Sequence, residues 1–291
     1  MKRAISAEVP FIISMIAFGT IGLFVRLIGL QSAEIALWRA VLGALFIGGV
    51  FLFQRRMPGY GSSRRNFLLL CLSGGAMGVN WILLFEAYKY TSVSLATLSY
   101  YFAPVLVTLL SPFLFKERLG TKGLVSFFGA TAGLVLITLQ PSEGGSIVGI
   151  LFGISAAVFY ATVIILNKKL TDVGGLERTF WQFVFAAIVL AIYTPISSGI
   201  ELFSLDQIGA VMLLTVGIFH TGITYLLYFG SLAQLEGQRV ALLSYVDPLV
   251  AALLSVSLLG ERMTLLQAIG GVMILGFTLI SELSFKKKKS G

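Results

Sequence analysis

The chain has 291 residues, of which 57% are hydrophobic and only 12% charged, with a mean hydropathy of +0.94. Soluble domains carry roughly 25% charged residues, so water is not the solvent for most of this surface, and no polar stretch is long enough to form a soluble domain. The formal net charge of +8 sits in short Lys/Arg clusters between apolar runs, which excludes nucleic acid as a partner, and the lone Cys71 excludes an internal disulfide and argues against a thiolate metal cluster.

A bilayer core of about 30 Å needs about 20 helical residues. That length divides the first half of the chain into spans at 10–30, 34–53, 66–88, 92–115 and 121–140, and the second half into spans at 146–167, 176–198, 206–231, 237–259 and 264–285. Lys2 and Arg3 precede the first span, which lacks a small-residue cleavage site and reads as an uncleaved helix. The expected fold is therefore all-α and integral to the membrane, with ten transmembrane helices.

Orientation follows from the excess of Lys and Arg in cytoplasmic loops. A cytoplasmic N-terminus places Lys2, Arg3, Arg55, Arg56, Arg64, Arg65, Lys116, Arg118, Lys122, Lys168, Lys169, Arg178, Arg239 and the run Lys286 to Lys289 on one side. It leaves Arg26, Arg39, Lys89 and Arg262 near the outer ends of spans, where long side chains snorkel to the interface. Ten spans return the C-terminus to the cytoplasm, where the lysine run acts as an anchor with affinity for anionic lipid.

The two halves repeat. "YFAPVLVTLLSPFLFKER" from Tyr101 faces "YVDPLVAALLSVSLLGER" from Tyr245, with Pro104 to Glu117 and Pro248 to Glu261 at equal spacing. The register runs backwards to pair Trp81 with Tyr225 and Phe85 with Phe229, and a one-residue slip pairs Glu34 and Trp38 with Glu177 and Trp181. Residues 1–141 and 142–291 are thus expected to be two five-helix units, and an odd number of spans makes the second enter the membrane inverted. Inverted repeats suit secondary transport, because exchanging the conformations of the halves opens a central site to either face in turn.

The "ALWRAVLGALFI" run, the "FEAYKYTSVSLATLSYYFAPV" run and the two helix ends "FKERL" and "LGERM" resemble the drug/metabolite transporter superfamily, specifically its EamA-type ten-helix permeases. The resemblance spans almost the whole chain. It implies a basket of ten helices with a cavity lined by the first, third, fourth, sixth, eighth and ninth, and a substrate among amino acids, nucleosides, other metabolites or drugs, often moved outward across the plasma membrane. On those spans Asn80, Trp81, Ser99, Tyr100, Tyr101, Tyr160, Tyr225, Tyr228, Ser244 and Tyr245 form the expected substrate lining, a group of rings with a few polar atoms.

Ionisable groups within a bilayer cost on the order of 2.5–3.5 kcal/mol each at a helix centre and therefore invite a functional reading. Asp247 precedes Pro248, whose missing N–H frees a carbonyl one turn back; its counterpart is the neutral Ala103, an asymmetry that fits a proton or cation site in one half. A fixed pairing with Arg39 reads equally well. His220, the only histidine, either shuttles protons or is a satisfied hydrogen-bonding residue. Glu86 lines an outer gate or pairs with Lys89 or Arg39. Arg39 attracts an anionic substrate group or clamps helices through Glu34, Glu86 or Asp247. Glu117 and Glu261 read as structural contacts with the arginines that follow them. Gly129 with Gly133, and Gly270 and Gly271 with Gly276, allow close helix contact that could serve a homodimer or pack the halves.

No cofactor or metal is expected. An intramembrane enzyme lacks its motifs: there is no G-x-S-x-G, no metal-ligand pair and no Walker loop. A channel-like facilitator or a membrane sensor of the same fold remains the alternative to a secondary transporter working by alternating access, with export as the expected direction.

Overall fold

The computed structural model describes residues 2–61, 63–115, 121–139, 146–197, 199–232, 234–235, 240 and 243–287. Every regular element among them is helical: α1 (Lys2–Arg26), α2 (Ser32–Phe53), α3 (Arg64–Tyr90), α4 (Val93–Tyr100), α5 (Ala103–Phe115), α6 (Thr121–Leu139), α7 (Ile147–Lys168), α8 (Gly175–Ser197), α9 (Gln207–Leu214), a π-helical stretch (Thr215–Ile223), α10 (Thr224–Leu232), α11 (Val246–Ser257) and α12 (Leu265–Lys287), with one short 3-10 turn at Leu202–Ser204. Several starts are fixed by side-chain caps that satisfy otherwise unpaired amides. Ser63 accepts from Arg65 N, Ser92 from Leu95 N, Ser146 from Val148 N and Asp206 from Gly209 N.

Among the described residues, seven spans are long and apolar enough to cross a membrane: Ala7–Arg26, Ser32–Phe53, Arg64–Tyr90, Val93–Leu110, Ile147–Lys168, Gly175–Ser197 and Gln207–Ser231. Three shorter apolar helices, Gly123–Ile137, Val246–Ser257 and Leu265–Ile280, accompany them. The first helix ends earlier than its apolar run, at Arg26, because the guanidinium is held there by the carbonyls of Tyr88 and Thr91 (2.9 and 2.7 Å). The expected single helix over 92–115 is instead two, broken at Tyr101 and Phe102 just before Pro104. The second half has its break at the equivalent Tyr245 before Pro248. Hydropathy has no term for such breaks, since the residues on either side are equally apolar.

The packing exchanges the two halves. Helices α2 with α8, α6 with α12, and α4 with α11 meet across the halves, and the contacts of α3 and α4 with α7 are answered by those of α10 and α11 with α1. The largest buried cluster joins α1, α2, α3, α7 and α8 through residues such as Ile47, Phe51, Phe85 and Phe183. Helices α6 and α12 touch through Gly133 and Gly270: a Cβ on either would lie 2.6 or 2.5 Å from the other's carbonyl oxygen. These two glycines are therefore consumed inside one chain, whereas a Cβ on Gly276 would meet nothing within 4 Å among the described residues.

Candidate functional site

Arg39 lies on α2 and is buried, 4% exposed. Its Nε donates to Thr221 Oγ1 at 2.9 Å, and its guanidinium sits 4.2 Å from the centroid of Trp81 and 5.8 Å from that of Phe85. Thr221 is available because of the π-helical stretch: its hydroxyl donates to Val216 O, five residues back, and the widened turn aims the oxygen at α2. Such π segments recur at functional sites.

The expected clamp of Arg39 by Glu34, Glu86 or Asp247 does not form. Glu34 accepts from the Glu201 amide and from Trp38 Nε1, Glu86 holds Lys89 at 3.0 Å, and Asp247 accepts from Tyr101 Oη at 2.7 Å. Each carboxylate is drawn to the donor that its own helix register presents. Arg39 has no carboxylate within ion-pair distance among the described residues. A buried cation whose charge is met only by a ring face and one hydroxyl retains N–H donors for an anion.

Asp247 and Arg39 share a group of tyrosines as electrostatic neighbours. Tyr88, Tyr100 and Tyr225 are each close enough to feel both charges. Asp247 occupies the first turn of α11, beside the break. Pro248 frees the carbonyl of Ser244, which Tyr101 Oη approaches at 3.5 Å. Gly19 makes this corner possible, since a Cβ there would lie 2.5 Å from Asp247 O and 2.8 Å from Val250 Cβ. Tyr100 stacks on Tyr160 at 5.0 Å, Tyr225 packs edge-on to Phe18 and Phe183, Tyr228 meets Phe11 and Phe18, and Tyr245 lies 6.4 Å from Tyr101. These rings thus pack against one another and their aromatic neighbours.

The remaining expected residues divide. Trp81 forms the floor beneath Arg39. Asn80 donates to Ala156 O at 2.7 Å and ties α3 to α7. Ser99 and Ser244 donate to carbonyls of their own helices, Leu95 O and Val240 O, so neither hydroxyl proton is free for a substrate. Short hydroxyls in helices commonly bond back in this way. His220 is 1% exposed. Its Nδ1 lies 3.2 Å from Thr215 O, and its Nε2 lies 2.7 Å from Thr20 Oγ1, which is also 2.7 Å from Ala17 O. One hydroxyl proton faces two acceptors: it goes to Nε2 when the imidazole is neutral and to Ala17 O when Nε2 itself carries a proton. The ring therefore accommodates either state by a hydroxyl rotation.

Glu86 sits at the end of α3 with Lys89 rather than in the central group, and Lys89 also reaches Gln31 at 3.1 Å. Glu261 does not form the expected contact with the arginine after it. Its Oε1 lies 2.5 Å from Arg26, and Oε2 accepts from Val93 N and from Ser255 Oγ, so it joins α1, α4 and α11. Its equivalent Glu117 lies outside the described residues. Pro104 follows the α4 break, and its carbonyl accepts from Thr108 Oγ1. Among the described residues no group of His, Cys, Asp and Glu is placed to hold a metal. Thr20, Tyr88 and Thr221 belong to the site but were not singled out by sequence; hydroxyls scattered through apolar helices carry no signal until the helices are packed.

The profile of the EamA-like transporter family matches this chain twice, over residues 5–139 and 147–282. The chain is 33% identical to the uncharacterized transporter YxxF of Bacillus subtilis over 94% of this chain and 88% of that protein. It is 24% identical to protein PecM of Dickeya dadantii over 86% and 84% of the two chains. A probable amino-acid metabolite efflux pump of Salmonella typhimurium is 27% identical over 62% of this chain and 64% of its own length. A solved crystal structure at 18% identity superposes with a TM-score of 0.66, covering 97% of this chain and 99% of that one, which establishes likeness of fold alone.

Proposed function

Because the chain belongs to the EamA-like transporter family of the drug/metabolite transporter superfamily, we propose that it exports small carboxylate-bearing metabolites, amino acids among them, with Arg39 holding the carboxylate. It is a multi-pass membrane transporter of the plasma membrane, not an enzyme. The observation that carries the substrate reading is Arg39 itself, a buried cation without a carboxylate partner among the described residues. Asp247 then receives the ammonium of a zwitterion, and the rings of Trp81, Tyr100 and Tyr225 receive the apolar body. A relative named as an amino-acid metabolite efflux pump agrees with this class.

In this reading ten helices form two inverted units meeting near residue 141, with both termini cytoplasmic, and the two breaks at Tyr101 and Tyr245 lie near the midplane, where transporters of this type place their substrate. The Arg56 end is cytoplasmic and the Arg26 end is external, as the distribution of basic loops suggests. Alternating access moves the halves about the central tyrosines, and protons couple through Asp247, with His220 as the second proton-holding group. A single chain is the transport unit, consistent with Gly133 and Gly270 being spent inside it.

The test is uptake of labelled amino acids, nucleosides and cationic dyes into inside-out vesicles, with and without an imposed pH gradient. We expect an amino acid to accumulate under the gradient, Arg39→Gln to lower its initial rate at least tenfold, and Asp247→Asn to abolish the gradient's effect. Undiminished amino-acid uptake by Arg39→Gln would overturn the carboxylate assignment. Gradient-independent uptake in every form would remove the proton from the mechanism and leave a facilitator.

A further inference from the structure

Beside the central site, with which it shares Tyr88, a cavity of about 450 Å³ lies at the external end, between the C-terminal turns of α1 and α3 and the start of α2. Leu30, Ile35 and Phe85 give it apolar walls, while Arg26, Ser32 and Lys89 contribute polar atoms. Ser32 is 1% exposed, yet its hydroxyl has no hydrogen-bond partner among the described residues. A hydroxyl withdrawn from water without a partner is costly, on the order of 1–3 kcal/mol. Ser32 is also the first residue of the 22-residue α2, whose N-cap, Gln31, provides no side-chain hydrogen bond. The first amides of this helix are therefore uncapped and carry the positive end of its dipole.

We propose that this cavity is a second, external binding site for the carboxylate of a small organic anion, one aromatic ring away from Arg39. The carboxylate accepts from Ser32 Oγ and the first amides of α2, and the apolar remainder lies against Leu30, Ile35 and Phe85. Charges nearby permit this. Arg26 is balanced by Glu261 and Lys89 by Glu86, and the one carboxylate in the first turn of α2, Glu34, is committed to the Glu201 amide and Trp38 Nε1. Balanced pairs add no net repulsion, so the helix start and the hydroxyl decide the sign of the ligand. Phe85 also stands 5.8 Å from the Arg39 guanidinium, so it borders both sites, and an exported carboxylate passes it on leaving Arg39. The role of a release site rests on the central reading of Arg39; the existence of the site does not.

The experiment is equilibrium dialysis of radiolabelled benzoate against the full-length protein in phosphatidylcholine nanodiscs. Ser32→Asp is the diagnostic variant, because an acidic residue in the first helical turn suits the dipole and preserves the fold while filling the site with a fixed negative charge. We expect saturable binding in the wild type with a central component that Arg39→Gln removes and an external component that survives it; in the Arg39→Gln background Ser32→Asp weakens the surviving component at least tenfold and Ser32→Ala severalfold. Saturable binding indifferent to Ser32→Asp overturns the proposal. So does binding lost with Arg39→Gln alone, which instead assigns all of it to the central site. Failure of the central reading shows up separately, as unchanged vesicle uptake by Arg39→Gln.

Discussion

At the scale of single residues, Arg39 is defined by what it lacks. Desolvating a guanidinium beside only a ring and a hydroxyl is tolerable because the delocalised plane stacks on Trp81 at 4.2 Å and interacts with its face by up to about 2 kcal/mol. A lysine has the charge without the plane or the fork of donors. Arg39→Lys should therefore fold, as judged by gel filtration and helical circular dichroism, yet raise the KM for the proposed carboxylate substrate about tenfold. A KM within a factor of two of the wild type would show that the charge alone suffices. His220 differs in kind: its two acceptor-rich neighbours, Thr20 and Thr215 O, serve either protonation state, a property set by hydroxyl geometry and invisible in the residue's identity.

Among the elements, the breaks and the contacts between helices dominate. Prolines at 104 and 248 end the continuity of two helices at equivalent points, and the resulting corners carry Tyr101 and Asp247. The α6 and α12 pair depends on the absence of side chains at Gly133 and Gly270. In Gly133→Ala the new methyl would meet the Gly270 carbonyl at 2.6 Å, and backbone cannot yield as a side-chain tip does. We expect a loss of about 1–3 kcal/mol, read as a lower midpoint in thermal unfolding in detergent; an unchanged midpoint would mean that the two helices separate without cost. Glu261 binds three elements at once through Arg26, Val93 N and Ser255. Glu261→Ala should cost about 1–3 kcal/mol by leaving the Val93 amide and the Arg26 Nη1 without their acceptor, and Glu261→Gln less, since it keeps an oxygen. Equal midpoints for both variants and the wild type would refute this role.

For the molecule as a whole, the two halves hold one another reciprocally. Glu34 of α2 accepts from the Glu201 amide in the segment between α8 and α9, while Glu177 of α8 pairs with Arg56, and Trp181 Nε1 donates to Gly59 O, in the segment between α2 and α3. Each half thus fastens the loop of the other, at opposite ends of the molecule. Vesicles preloaded with the unlabelled substrate should take up label faster than empty ones, because a carrier returns loaded. Equal rates with no saturation would indicate a channel.

Sequence alone determined the membrane class, the repeat and the family, because bilayer thickness fixes the length of apolar runs and duplicated motifs survive in linear order. It also brought Arg39, Trp81, Tyr100, Tyr225 and Asp247 into consideration, since polar and aromatic groups are conspicuous in an apolar helix. Which of them meet was decided only by tertiary structure. The pairing of Arg39 with Thr221 depends on a π-helical register, that of Glu261 with Arg26 on where α1 ends, and that of Asp247 with Tyr101 on two helix breaks. Each is a matter of a fraction of a helical turn, to which hydropathy is insensitive and on which hydrogen-bond distance depends steeply.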